Sequence, residues 1–210
     1  MHIHRTRLLR EGRSLTDVVD GTRRALGIGA TILPATDGPQ RTRVRTDAGW
    51  IGFQEYFVQR RAADDVRELR FEPEATPTDA VRQAISGADI IVIAPSNPFV
   101  SIGPLLALTG LRDLLQKARA TVVAVSPIVG GAAIKGPAAA MLAAFGREVS
   151  ALGVARLYAD IADAFVLDTE DAALAPAIAK LGFKTSAVPT IMRDRSTRAE
   201  LARATLAAAR

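Results

Sequence analysis

The pattern of apolar and polar positions changes character part-way along the chain. From Asp89 onward, short apolar runs alternate with helix-like stretches. Asp89–Ala94, Thr121–Ser126, Ala164–Asp168 and Lys184–Val188 read as strands. The first of them is almost wholly apolar and β-branched, which predicts a strand buried on both faces, as in a parallel sheet. Between them, Leu111–Ala118, Pro137–Phe145, Val154–Ile161 and Glu170–Leu181 carry helical spacing, the last interrupted by Pro176, and Ser196 is placed to cap a final helix. Strands alternating with helices predict an α/β fold: a doubly wound, mostly parallel, Rossmann-like sheet.

The earlier part reads differently. Leu15, Val18, Val19 and Leu26 fall at helical spacing behind Ser14, a good N-cap, and residues 1–12 have weaker helical character. Ala30–Leu33 predicts a short strand before Pro34, and Thr36-Asp37-Gly38-Pro39 is turn chemistry. Arg41–Thr46 alternates, Asp47-Ala48-Gly49 suits a turn, and Trp50–Val58 is aromatic and β-branched, which predicts a hairpin. Val66–Phe71 predicts another strand, and Pro77–Ile85 a helix capped near Thr76 or Thr78. Residues 30–71 thus form a β-rich antiparallel or mixed insertion within one partial α/β domain spanning 1–210. No linker is long enough to divide it in two.

Composition narrows the chemistry. The 210 residues are 49% hydrophobic and 23% charged, enough for a sizeable core. With no cysteine, disulfides, thiolate metal sites and a cysteine nucleophile are excluded, which fits a cytoplasmic protein without fixing the compartment. His2 and His4 are the only histidines, so a Ser-His-Asp triad or a His-rich metal site has little material. The net charge of +5 is carried mainly by the first 70 residues, where 13 Arg face 9 Asp or Glu. Few aromatics interleave with those arginines, so no stacking platform for nucleic acid is expected. No run approaches the roughly 18 apolar residues of a membrane span. The basic start lacks an apolar leader segment.

Three strand ends hold candidate chemistry. The stretch Asp89–Gly103, D-I-I-V-I-A-P-S-N-P-F-V-S-I-G, stops abruptly at two prolines that cannot continue a ladder. Ser126 leads into Pro127-Ile128-Val129-Gly130-Gly131 and on to Lys135-Gly136-Pro137. Asp168 ends the third strand, where it suits a catalytic group, a metal ligand or the N-cap of the next helix. In open α/β sheets ligands bind outside the carboxyl ends of the strands, so hydroxyls, amides and loop N–H groups here are placed to meet an anion. Lys135 beside a helix start is unfavourable with the helix dipole unless an anion lies between them; the alternative is a solvated loop lysine. Neither a Walker P-loop nor a G-x-S-x-G elbow is present. Phe53-Gln54 stands out because Gln is costly to bury without a partner.

These motifs, taken in order, resemble one family. D-I-I-V-I-A-P-S-N-P-F-V-S-I-G-P-L-L, G-L-R-D-L-L, V-V-A-V-S-P-I-V-G-G, K-G-P-A-A-A-M-L, G-V-A-R-L-Y-A-D-I-A-D-A-F-V-L-D and T-I-M are similar to the 2-phospho-L-lactate transferases, which make the deazaflavin coenzyme F-420. Upstream, R-T-R-L-L-R-E-G-R-S-L-T-D, L-P-A-T-D and F-Q-E-Y-F-V fit as well. The resemblance implies transfer of a 2-phospholactyl or phosphoenolpyruvyl group from a guanosine-diphosphate-activated donor to the ribityl hydroxyl of the deazaflavin Fo, with release of GMP and the help of Mg²⁺. By match to the family's loops, Ser96, Asn97, Ser101 and Gly103, with Lys135 and Gly136, would face the donor nucleotide and phosphates. Thr36, Asp37 and Gln54 would shape the acceptor side. No catalytic residue is assigned.

Family members also resemble a longer chain that opens with a strand, a G-G-x-G-G loop and acidic metal ligands. Neither occurs here, so a missing N-terminal third, metal ligands outside this chain and an apolar sheet edge open to homodimer pairing are expected. A sister family of nucleotide-sugar-binding gluconeogenesis factors is similar in fold. Its corresponding loop resembles P-G-S-L-Y-T-S, whereas P-S-N-P-F-V-S here sides with the transferases.

Overall fold

Four of the apolar runs pair in parallel, in the order in which they occur along the chain. The computed structural model describes residues 2–134 and 136–210. Two helices, α1 (His2–Arg10) and α2 (Leu15–Ala25), lead in. Ser14 accepts the Asp17 amide at 3.0 Å and so caps α2. Strands β1 (Arg41–Thr46), β2 (Gly49–Gly52) and β3 (Glu68–Glu72) form a small antiparallel sheet in the order β2-β1-β3. After α3 (Asp79–Ser86), capped by Thr78, come β4 (Ile90–Ile93), α4 (Gly103–Leu106), α5 (Leu111–Gln116) and β5 (Thr121–Val125). A two-strand hairpin, β6 (Ile128–Val129) and β7 (Ala132–Ala133), precedes α6 (Ala138–Ala144) and α7 (Ala151–Tyr158). The chain ends with β8 (Ala164–Leu167), α8 (Ala175–Ala179), β9 (Lys184–Ala187) and α9 (Arg195–Ala208).

The main sheet runs β4-β5-β8-β9, all parallel. Side chains alternate across its faces with period two. Val122, Ala124, Phe165 and Leu167 pack with Leu115 of α5, Leu142 of α6, Ala155 and Tyr158 of α7 and Ile178 of α8. Val123, Val125, Ala164 and Val166 pack with Leu201 and Ala208 of α9. Strands taken in sequence order, with crossovers of one hand, put the connecting helices on one face; α9, following the last strand, covers the other.

The antiparallel insertion has its own core of Val44, Ile51, Tyr56 and Val66. Met141 of α6 is buried in that core, and Phe99, Val100 and Phe145 pack against it, so the insertion is fastened beside the carboxyl end of the main sheet. The Phe99 and Phe145 rings lie 4.8 Å apart.

Several expectations change. Ala30–Leu33 is not a strand; it pairs with nothing and is largely exposed. The hairpin is real but short: β2 ends at Gly52 and Glu55–Gln59 winds as a wide helical turn that buries Tyr56 in the insertion core. The stretch after Asn97 is not an open loop either, since Pro98–Ile102 forms a second wide turn that runs into α4. β4 is not buried on both faces: it is an edge strand, and Val92 is 43% exposed. Pro176 opens α8 rather than interrupting it, its missing N–H being harmless in a first turn. Asp194, not Ser196, caps α9, through a reciprocal capping box with Thr197.

Candidate functional site

The carboxyl ends of β4 and β5 and the segment after β9 open onto one cavity of about 590 Å³. Pro95, Ser96, Asn97 and Ser101 enter from β4, Ser126 and Pro127 from β5, and Thr190, Ile191 and Met192 from the segment after β9. Gly136, Pro137 and Ala138 close it from the start of α6, and Phe53 and Phe57 from the insertion.

Each wall is held by local chemistry. The Asn97 Oδ1 accepts the Phe99 amide at 2.8 Å and the Val100 amide at 3.3 Å, and so caps the turn that presents Ser101. The Ser126 hydroxyl is buried; it donates to the Ile128 carbonyl and accepts the Ile128 amide, pinching the chain as it leaves β5. Gly130 and Gly131 both have positive φ, as a two-residue hairpin turn requires, and the Gly130 amide donates to Asp171 at 3.1 Å.

Asp168 is the most densely bonded carboxylate of the site's surroundings. Its Oδ1 accepts the Glu170 amide at 3.0 Å, capping the following turn. Its Oδ2 accepts both the amide and the hydroxyl of Thr190, which fastens the cavity wall after β9 to the end of β8. Burial pushes the Asp168 carboxyl up, but the hydrogen bonds from Thr190, Glu170 and Thr169 outweigh it and hold it below its ordinary value. Of the three readings its position allowed, the N-cap is the one observed, with the Thr190 clasp added.

The sequence-derived site residues divide. Ser96, Asn97, Ser101 and Gly136 meet in the cavity. Gly103 faces elsewhere: a Cβ there would lie 3.1 Å from the Pro98 carbonyl and 3.4 Å from the Phe71 ring, so it is a close-packing position against β3. Thr36, Asp37 and Gln54 do not line the cavity. Asp37 instead accepts the Thr16 amide at 2.7 Å and its hydroxyl at 2.9 Å, tying its loop to α2. Thr36 bonds the Gly38 amide, and Gln54 is exposed, so no buried amide needs a partner there. Lys135 lies outside the described residues.

Sequence reasoning assigned no role to Phe57, Ile134, Thr190 or Met192, although all four line the cavity. T-I-M was legible as a motif, but its place at the rim depends on Asp168.

Among the described lining residues none is ionised, so hydroxyls, amides and backbone groups supply the polar contacts. No group of three or more His, Cys, Asp or Glu able to hold a metal occurs among the described residues. The described cavity residues therefore do not fit a Mg²⁺ site by themselves.

Comparison with known proteins identifies the family. A family profile described as 2-phospho-L-lactate transferase CofD matches residues 1–203. The chain belongs to this family. It is 41% identical over 203 residues to a 2-phospho-L-lactate transferase of Methanosarcina mazei, covering 96% of this chain and 66% of that protein. It is 39% identical over 215 residues to a phosphoenolpyruvate transferase of Kitasatospora aureofaciens, covering 99% of this chain and 67% of that one. The chain thus spans about two thirds of the length of these curated relatives. A crystal structure of a UPF0052 family protein of Bacillus halodurans has the same fold, with a TM-score of 0.67 at 14% identity over 95% of this chain and 70% of that one. Membership of the transferase family agrees with the resemblance in the strand-end motifs. No helix among the described residues is long and apolar enough to cross a membrane.

Proposed function

We propose that this chain carries the transfer site of a coenzyme F-420 pathway enzyme. A 2-phospholactyl or phosphoenolpyruvyl group passes from a guanosine-diphosphate-activated donor to Fo. The terminal ribityl oxygen of Fo forms a bond to the phosphorus that bears the acid. The bond from that phosphorus to the GMP oxygen breaks, GMP leaves, and the hydroxyl proton passes to solvent or a base. The observation that carries this reading is the match of the transferase family over residues 1–203, combined with a cavity at the strand ends that gathers Ser96, Asn97, Ser101 and Gly136. Ser96 and Ser101 offer hydroxyl donors to phosphate oxygens, and Asn97 sets the turn between them. Thr36, Asp37, Gln54 and Gly103 lie outside this cavity, so the reading draws on Ser96, Asn97, Ser101 and Gly136.

The relatives include both a phospholactate and a phosphoenolpyruvate transferase, so both donors belong in the test. The chain is incubated with Fo and each activated donor, with and without Mg²⁺, and products are read by mass spectrometry. The expected result is the saturated or dehydro phospholactyl product of Fo together with GMP. No product with either donor, and no binding of Fo or GDP, overturns the reading. Preferential binding of UDP-sugars over GDP overturns it in favour of a nucleotide-sugar-binding role. The cysteine-free composition suits the cytoplasmic setting proposed for this reaction.

A further inference from the structure

The wide turn after Asn97 has two faces. Val100 and Ser101 line the cavity at the strand ends, whereas Pro98 and Phe99 line a separate cleft behind it. That cleft has two lobes, of about 470 Å³ and about 290 Å³. Both are lined by Pro98, Phe99, Gly103 and Leu157, so they are continuous. The larger lobe lies between β3 of the insertion and the end of α6, and the smaller between α4, α5 and the end of α7. The cleft thus follows the seam between the insertion and the main body of the chain.

Its middle suits a ring. Phe71, Phe99, Phe145 and Leu157 line it and are all only half-buried, although they come from four separate stretches of chain. The Phe99 and Phe145 rings are tilted by 47° to each other, an arrangement that a third ring joins edge-to-face or offset. Apolar side chains converging on one concave opening favour an apolar ligand body.

Its two lobes offer polar groups that the fold leaves unused. In the larger lobe Arg67 is bonded to Asp47, and Glu68 to Arg45 and Arg70. Arg147 lines the same lobe, is exposed, and pairs with no carboxylate among the described residues; its neighbour Glu148 is taken by Arg156 and Ser150. In the smaller lobe Arg112 is committed to Asp160, while the buried Tyr158 hydroxyl has no partner among the described residues. An acceptor brought to that hydroxyl relieves its desolvation cost, and an anion brought to Arg147 meets an uncommitted guanidinium. We propose that this cleft is a second ligand site, for a small aromatic acid with an oxygen acceptor opposite its acidic group. The site stands apart from the cavity on the other face of the turn and does not rest on the transfer reading.

The probe is 4-acetylbenzoate, a ring with a carboxylate at one end and a keto oxygen at the other. It is titrated into the isotope-labelled chain and followed by amide chemical shifts. A ligand of this size should bind with a Kd of about 1 mM, from the usual free energy per heavy atom. The shifts should centre on Phe99, Gly103, Leu106 and Leu157 rather than on Ser126 and Thr190. Arg147→Ala should weaken binding roughly three- to tenfold, as should replacing the carboxylate by its methyl ester. Tyr158→Phe should weaken 4-acetylbenzoate by about the same factor and leave plain benzoate within about twofold. Both substitutions spare the fold, Arg147 being exposed and Phe keeping the buried ring. No binding up to about 10 mM, tenfold above the expected constant, overturns the proposal. Shifts centred on Ser126 and Thr190, or a Kd that ignores both Arg147→Ala and Tyr158→Phe, overturn it as well.

Discussion

Asp168 Oδ2 accepts two hydrogen bonds from Thr190, one from its amide and one from its hydroxyl, both at 2.7 Å. The residues are only 3% exposed, and they join the end of β8 to a wall of the cavity. Replacing the carboxylate strands a buried amide and a buried hydroxyl as well as the capped Glu170 amide. Asp168→Ala is therefore expected to lower unfolding stability by about 3 kcal/mol. It should also loosen Thr190–Met192 and weaken ligand binding in the cavity. Urea denaturation and Fo titration of the same variant check both effects.

The same carboxylate predicts a pH response. Its folded-state value is held below the ordinary one, with the hydrogen bonds from Thr190 and Glu170 outweighing burial. A depressed carboxylate contributes stability that is full above its unfolded value of about 3.9 and is lost as pH falls through the lower folded value. The melting temperature of the wild-type chain should fall more steeply below about pH 4 than that of Asp168→Asn, which does not titrate there. Equal slopes for the two proteins would refute the assignment.

How much of this was legible beforehand depends on the range of the interaction. Ser14 and Thr78 were readable as caps because a side chain bonding an amide three residues on is a local event. The parallel strands were readable because I-I-V-I, T-V-V-A-V and A-F-V-L suit a covered sheet. The exposure of Val92 was not, since the same apolar run serves an edge or a central strand and only the pairing decides. The aromatic run after Gly52 carries strand propensity, yet tertiary packing of Tyr56 winds it into a turn. Ser96 and Ser101 lie in one stretch of chain, so their meeting could be foreseen. Phe57, Ile134 and Met192 meet only through the docked insertion and the Asp168–Thr190 clasp, which no local pattern encodes.

Asn97 separates a structural from a ligand-binding role. Its Oδ1 already accepts the Phe99 and Val100 amides, and its Nδ2 sits 3.5 Å from the Met141 sulfur. Asn97→Ala should lower stability by about 1 kcal/mol, the usual cost of a lost cap. Asn97→Asp keeps the acceptor and should stay within about 0.5 kcal/mol of the wild-type chain in thermal melts. Losing as much stability with Asp as with Ala would contradict the capping role.

Tyr158 offers the opposite sign. It is 1% exposed, and its hydroxyl has no hydrogen-bond partner among the described residues. Burial pushes its ionisation well up, against the opposing charge of Arg112. Arg112 itself is committed to Asp160, its Nε lying 2.6 Å from Oδ2, so it does not serve the hydroxyl. Removing an unsatisfied buried hydroxyl while keeping the ring relieves a desolvation cost. Tyr158→Phe is expected to stabilise the chain by about 1 kcal/mol, seen as a higher midpoint in urea. A loss of stability instead would mean the hydroxyl has a partner in solution.

The β4 edge makes the last prediction. Ile90–Ile93 pairs with β5 on one side and with no strand on the other among the described residues. The run has no charge, proline or bulge, the features that commonly keep an edge from pairing. Val92 is 43% exposed and lines an apolar groove with Leu201, Ala202 and Leu206 of α9, Leu206 itself being 46% exposed. A second copy can extend such a sheet through backbone hydrogen bonds and cover the groove at the same time. Sedimentation velocity should show association that rises with protein concentration. Val92→Lys should shift it roughly tenfold toward the monomer, because pairing would then bury an ammonium group. Folding stability should change by no more than about 0.5 kcal/mol, since the site is half open to water. A wild-type chain that stays monomeric across the range, or a Val92→Lys variant that associates as strongly, would show that this edge is protected in another way.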